Sequence, residues 1–326
     1  MLPSFLVIGA QKSGSTFLLR CLAEHPDLYM PRHETRFFED PEYLSGDISK
    51  LESLFDHLPP GKVIGIKRPD YLAKPECPER IRRHIPDAKL IVVLRDPVER
   101  AISSYFYQIR QGFIPIKPLE QGIRAIFRGE YQRAYPKSAE IIEYGFYHSH
   151  LTRYLEHFGR GQLLILLFEL IKKEPLEALR QVYRFLDVDE RHVPELLAKG
   201  GAVNRGVYSL TRLRLLTIAN SLRFTYNENR TRRYRKCPPL LSKVFARTVD
   251  WLDAKLLTRI CENSRPVLSG ELKERLVDVY RDDLDRLEEL LGEPLPSLKL
   301  YSAGLRAREM SDTLNPPSAP PGLASH

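Results

Sequence analysis

Cysteine is scarce. Four residues, Cys21, Cys77, Cys237 and Cys261, are scattered over 326 positions and form no CxxC or Cys/His cluster of metal-ligand spacing. Reduced thiols are the expectation, with neither a disulfide framework nor a zinc site. Long apolar runs are lacking as well. Nothing approaches the roughly 18 residues needed to cross a bilayer, and the N-terminus has no charged region followed by a long hydrophobic one, so a cytoplasmic location is expected. Neither sign of charge dominates: 50 Lys and Arg face 42 Asp and Glu, a net +8, and 43% of the residues are hydrophobic. Disorder of the whole chain is excluded, because a chain of this length and composition buries roughly 75% of its unfolded surface. Internal repeats are absent.

What is present is an alternation of strand and helix signals. The apolar run Phe5 to Ile8 ends in Gly9 and is followed by a small-residue loop and the helical pattern Phe17, Leu18, Cys21, Leu22. Further short runs at Val63–Ile66, Leu90–Leu94 and Leu163–Phe168 are separated by helical stretches at Pro78–His84, Val98–Gln111, Ala139–Phe158 and Pro175–Leu186. This pattern predicts an α/β fold, a central parallel sheet flanked by helices on both faces, with ligands at the carboxyl ends of the strands. From about residue 205 the strand signals stop, and helical patterns run over Ser209–Leu222, Leu240–Cys261 and Ser269–Leu291, the last with Ser269 as N-cap and Gly292 as stop. The chain therefore divides into an α/β core over 1–204, a helical insertion with a basic hairpin over 205–268, a C-terminal helix packing on the core over 269–298, and a Pro/Ser/Gly-rich flexible tail over 299–326.

The first strand delivers Gly9-Ala10-Gln11-Lys12-Ser13-Gly14-Ser15-Thr16 to a helix N-terminus, where unpaired N–H groups and the helix dipole favour an anion. The glycine spacing is that of GxxxxGK[ST], and the fold is accordingly P-loop-like. The position after Gly14 is Ser15, however, and the only lysine has moved forward to Lys12. A donor with one phosphate bearing a transferable group suits that arrangement better than a triphosphate. Asp96, before Pro97, reads as a helix cap rather than a magnesium ligand, and metal-free chemistry is expected.

Three segments carry a resemblance: Phe5–Leu18, then Met30–Phe38 with Gly65–Leu72, and Leu90–Tyr105, with weaker likeness at Tyr144–Tyr147, Phe168-Glu169, Phe185-Leu186 and Tyr280–Leu295. Together they resemble the sulfotransferases that use 3′-phosphoadenosine 5′-phosphosulfate (PAPS), in particular bacterial members similar to the heparan sulfate sulfotransferases. The resemblance implies PAPS as co-substrate, with Lys12, Ser13, Gly14, Ser15 and Thr16 at its 5′-phosphosulfate. It also implies that Arg95 and Ser103 hold the 3′-phosphate, since an arginine fork with a hydroxyl clamps a phosphate well. The plainer reading pairs Arg95 with Glu99 or Asp96 and leaves Ser103 in solvent; Arg100 reads as structural.

In Pro31-Arg32-His33-Glu34-Thr35-Arg36-Phe37-Phe38, Glu34 matches the family's general base, while His33 replaces a usual lysine and becomes a second titrating candidate. Lys67-Arg68-Pro69-Asp70-Tyr71 is similar to the family's Lys-x-Pro-x-Tyr segment, which implies that Lys67 stabilises the transferring group, as Lys12 does. Arg68 stands where Ser or Thr is usual, and Asp70 is an acid/base or a turn residue. Lys199-Gly200-Gly201 and Asn204-Arg205-Gly206 are candidate contacts to the donor, or plain domain-edge loops.

Between Asn220 and Lys243 seven basic residues (Arg223, Arg230, Arg232, Arg233, Arg235, Lys236, Lys243) face one acid, Glu228, a local charge of +6. Such a hairpin covers an acceptor cleft for an anionic glycan or glycolipid, rests on a membrane surface, or is only a solvated loop. Nucleic acid is not expected, because no recognition motif accompanies the arginines. The function so read is transfer of a sulfuryl group from PAPS to a hydroxyl or amine, with a carbohydrate or glycolipid acceptor. Its rivals are a nucleotide kinase with a P-loop and a non-catalytic peripheral binding protein that uses the hairpin.

Overall fold

A computed structural model describes residues 1–44, 46–199, 206–237, 239–261, 263–292, 294–295 and 298. Strands β1 (Phe5–Gly9), β2 (Leu28–Tyr29), β3 (Val63–Lys67), β4 (Lys89–Leu94) and β5 (Leu163–Leu167) form one parallel sheet in the order β2-β3-β1-β4-β5. The helices that position the site are α1 (Ser15–Leu22), α2 (Cys77–His84), α3 (Pro97–Gln111), α4 (Glu140–Glu143), α5 (Tyr147–Leu155), α6 (Phe168–Lys173), α7 (Pro175–Leu186), α8 (Leu210–Arg223), α9 (Leu240–Leu252) and α10 (Gly270–Leu291).

The strands are apolar throughout because both faces are covered. Leu6, Ile8, Leu90, Val92 and Leu94 point into one cluster with Ile81, Ala101, Tyr105, Leu151, Leu276 and Tyr280, whereas their neighbours Phe5, Val7, Ile91 and Val93 pack with Leu18, Cys21, Leu22, Leu179 and Val182. Helices α2, α3, α5 and α10 thus cover one face and α1, α6 and α7 the other, which is the three-layer arrangement expected. The chain leaves β1 toward β2 and leaves β4 toward β5, so the crevice at the carboxyl ends of β1 and β4 is the topological switch point.

Three elements differ from the sequence pattern. The helix predicted over Ala139–Phe158 is broken between α4 and α5. A Cβ on Gly145 would lie 2.7 Å from the Tyr280 ring, and the Tyr280 hydroxyl donates to the Ile142 carbonyl at 2.9 Å. Asp283 then caps α5, accepting from the backbone N–H of His148 (2.9 Å) and Ser149 (3.1 Å). Second, strands do not stop at residue 205: β6 (Phe224–Tyr226) and β7 (Arg233–Arg235) pair antiparallel. The Asn227 side chain closes the turn between them by accepting from Thr231 N–H (2.9 Å) and Arg232 N–H (2.8 Å). Third, the pattern over Leu240–Cys261 is α9 followed by a wide π-turn at Asp253–Leu257 and a short helix at Thr258–Ile260. Asp253 in that turn accepts from Arg212 of α8 at 2.7 Å. The candidate donor contacts Gly200, Gly201, Asn204 and Arg205, and the tail over 299–326, lie outside the described residues.

Candidate active site

The loop after β1 bends sharply. A Cβ on Gly9 would lie 2.6 Å from the Leu72 Cβ, so only glycine admits this approach. Lys12 (φ 71°) and Gly14 (φ 93°) both adopt left-handed conformations, and Gly14 begins α1 without a side-chain cap. The loop therefore offers its amide groups at a helix N-terminus. The Lys12 ammonium lies 4.6 Å from the Tyr107 ring centroid. Burial, then repulsion from Arg110, Arg95 and Lys67, lowers its pKa to about 8. Such a cation is short of an anion.

Arg95 leaves the end of β4 and donates to the Lys12 carbonyl at 3.2 Å, tying the two crevice loops together. Its guanidinium lies 4.7 Å from the Phe168 ring centroid, and burial lowers its pKa from the usual guanidinium value. The plainer reading holds in part: Arg95 pairs with Glu99 at 3.0 Å, but Glu99 also pairs with Arg265, so one carboxylate serves two cations. Asp96 caps α3 by accepting from Glu99 N–H at 2.9 Å, and Arg100 is fully buried and donates to the Ile141 carbonyl.

On the other side of the loop, the register Val7↔Lys67 sets Lys67 at the end of β3. Its ammonium reaches Glu34 Oε1 at 2.6 Å and Thr16 Oγ1 at 3.4 Å, and so links the loop after β1 to the segment that carries Glu34. Arg68 holds the other Glu34 oxygen at 3.0 Å and also pairs with Glu39 and, at 2.7 Å, with Asp70. Burial alone would raise the Asp70 pKa. The Arg68 guanidinium, Lys137 and a 2.9 Å hydrogen bond from Gln11 outweigh it and hold the carboxyl below its ordinary value. Burial would likewise lower Arg68, but Asp70, Glu39 and Glu34 push it up instead. Asp70 is thus a structural anion of the site.

A single cleft of about 680 Å³ gathers Lys12, Gly14, Ser15, Thr16, Glu34, Lys67, Arg95 and Ser103 at the carboxyl ends of β1, β3 and β4. Arg68, Asp70 and Gly206 also line it. Ser13 does not, being fully buried within the loop, and His33 is exposed outside the cleft. Lys199 also points away, pairing with Glu195 at 2.5 Å. The walls include aromatic residues that residue chemistry alone did not single out: Tyr107, Phe168 and Tyr208. Of these only Phe168 carried a signal, as part of Phe168-Glu169. The cleft can hold a polyanion among five cations, Lys12, Lys67, Arg68, Arg95 and Lys172, and bring it against a carboxylate.

A family model described as the sulfotransferase domain matches residues 2–199. Mouse heparan sulfate glucosamine 3-O-sulfotransferase 3B1 is 35% identical over 185 residues, 57% of this chain and 46% of that protein. The bifunctional heparan sulfate N-deacetylase/N-sulfotransferase 1 of Caenorhabditis elegans is 27% identical over 192 residues, 58% of this chain and 22% of that protein. The chain thus spans less than half the length of these curated relatives. The solved structure of a sulfotransferase from Alicyclobacillus acidocaldarius has the same fold, with TM-score 0.63 and 22% identity over 92% of this chain and 99% of that one.

Proposed function

Given that the chain belongs to the sulfotransferase domain family, we propose that it transfers a sulfuryl group from PAPS to a hydroxyl or amine of a carbohydrate. The observation that carries this reading is the Lys67 ammonium bridging Glu34 and the loop after β1 within one cleft. Lys12 and the amides of Gly14, Ser15 and Thr16 would hold the 5′-phosphosulfate, and Arg95 with Ser103 the 3′-phosphate. Ser13 is buried within the loop and does not line the cleft. Bound there, PAPS supplies an activated sulfuryl group. Glu34 takes the acceptor proton while the new oxygen–sulfur or nitrogen–sulfur bond forms and the bond from sulfur to the phosphate oxygen breaks. Lys67 and Lys12 offset charge on the transferring group and the departing phosphate. Lys67 and Arg68 each hold one oxygen of Glu34 and so fix the orientation of its carboxylate.

The named relatives are a heparan sulfate glucosamine 3-O-sulfotransferase and a heparan sulfate N-deacetylase/N-sulfotransferase, one an O- and the other an N-sulfotransferase. An amino-sugar glycan or glycolipid is accordingly the acceptor class we favour. No metal is called for by these residues, and the four free thiols support a reducing, cytoplasmic compartment. Incubation of the full chain with sulfur-labelled PAPS and a panel of glycans, glycolipids and amines, read by mass, tests the reading. Mass gain on a glycan is expected. Magnesium-dependent phosphate release from ATP, with no gain from PAPS, would replace the proposal by the kinase reading.

A further inference from the structure

Helix α9 packs inward on α8, with Ala246 and Val249 its buried residues, clustered with Ala219. On its outward side Leu241 is 83% exposed and Trp251 60%, and Leu240, Val244 and Phe245 lie beside them, an apolar stripe at helical spacing that Leu256 and Ile260 continue. Lys243 and Arg247, four residues apart, run along one flank, and Arg235 of β7 is exposed on the hairpin that enters the helix. None of the three forms an ion pair among the described residues. The two acids at the end of α9 and in the turn after it are already neutralised: Asp250 pairs with Arg223 at 2.6 Å and Asp253 with Arg212 at 2.7 Å.

We infer that the outward face of α9, together with the β6–β7 hairpin, docks on an anionic lipid bilayer. Apolar side chains gain by leaving water, and cations on the flanks gain beside acidic headgroups; a bilayer interface satisfies both at once. A second copy of the chain fits poorly, since it would bring the same +6 segment against itself. Residues 299–326 offer no complementary charge either, with three basic residues against two acidic. The hairpin is fastened to the segment after Glu34, where Arg232 pairs with Glu42 at 2.7 Å, and to the end of α3, where Tyr226 donates to the Gln111 carbonyl at 2.6 Å. The docked face uses no residue that lines the cleft.

Trp251 is the only tryptophan, so its fluorescence reports this face directly. The full chain is titrated with phosphatidylcholine vesicles, with and without phosphatidylglycerol, and bound protein is measured by co-sedimentation. Expected are a blue shift with the anionic vesicles, binding at least about tenfold tighter than to neutral ones, and weakening by salt. Leu241→Ser with Phe245→Ser should lose at least about tenfold in binding. The triple variant Arg235→Glu, Lys243→Glu, Arg247→Glu should lose the preference for phosphatidylglycerol. Circular dichroism and melting temperature confirm that each variant folds. Absence of binding to anionic vesicles, or equal binding by the two-serine variant, would overturn the inference. So would a dimer, seen by light scattering, that the serine substitutions dissolve. None of these readouts depends on sulfuryl transfer.

Discussion

At the residue scale the site is a set of cations that the fold has partly stripped of water. Lys12 shows this most plainly, because its lowered pKa of about 8 follows from burial and from three cationic neighbours. An anion in the cleft relieves both effects and stabilises the protonated form. Affinity for adenosine 3′,5′-bisphosphate should therefore be flat up to about pH 7 and fall by up to about tenfold per unit above about pH 8. Lys12→Met should bind more weakly and lose that slope, as calorimetry across this range would show. Glu34 is held by Lys67 at 2.6 Å and Arg68 at 3.0 Å, so Glu34→Gln keeps its shape and loses its basicity. Sulfation by Glu34→Gln should drop about 10² to 10⁴-fold with bisphosphate binding retained. A loss below tenfold would remove Glu34 as the base. The motif residues were legible because their chemistry is local to short segments. The Arg68–Glu39–Asp70 cluster was not, since Glu39 meets Arg68 only through the fold.

At the element scale, the C-terminal helix decides where an earlier helix starts. Asp283 of α10 accepts from two backbone N–H groups and the Ser149 hydroxyl at the start of α5, some 134 residues earlier in the chain. Asp283→Ala should cost about 2 kcal/mol, a cap plus buried donors left without a partner. The melting temperature should fall by several degrees, and the amides of His148 and Ser149 should exchange faster than their neighbours. Sequence periodicity ran straight through Gly145 because nothing within Ala139–Phe158 announces the Tyr280 ring. Likewise the three-residue strands β6 and β7 are too short for alternation to register, and the apolar spacing of α9 does not say which of its faces packs.

For the whole molecule, acid sensitivity follows from groups the fold keeps neutral or ion-paired. His150 is buried; its Nε2 lies 2.9 Å from the Glu143 carbonyl and its other ring nitrogen accepts from Arg153. Burial, then Arg153, lowers its pKa to about 4 from an ordinary 6.5. Between those values the unfolded chain binds the extra proton, so folding stability should decline as pH falls from about 6.5 to about 4, by on the order of 3 kcal/mol. Denaturant unfolding at a series of pH values should show this decline in the natural chain and much less of it in His150→Gln. Asp70, held low by Arg68, adds its own loss only below its ordinary value of 3.8. Among the described residues no helix is long and apolar enough to cross a membrane, and the apolar surface that α9 exposes is one face of a helix rather than a span.

The sequence by itself determined the parallel sheet and the loop after β1, through short apolar runs alternating with helical patterns and through the glycine spacing, while the candidate roles of Lys12, Glu34, Lys67 and Arg95 came from the resemblance of the segments that carry them. Tertiary structure alone decided that these four side chains share a cleft and that Ser13 and His33 do not line it. It also decided that Arg68 grips Glu34 and that α9 turns its apolar stripe outward. The physical reason is that burial and ion pairing depend on which distant surfaces meet, and a linear pattern records only which residues are ready to meet something.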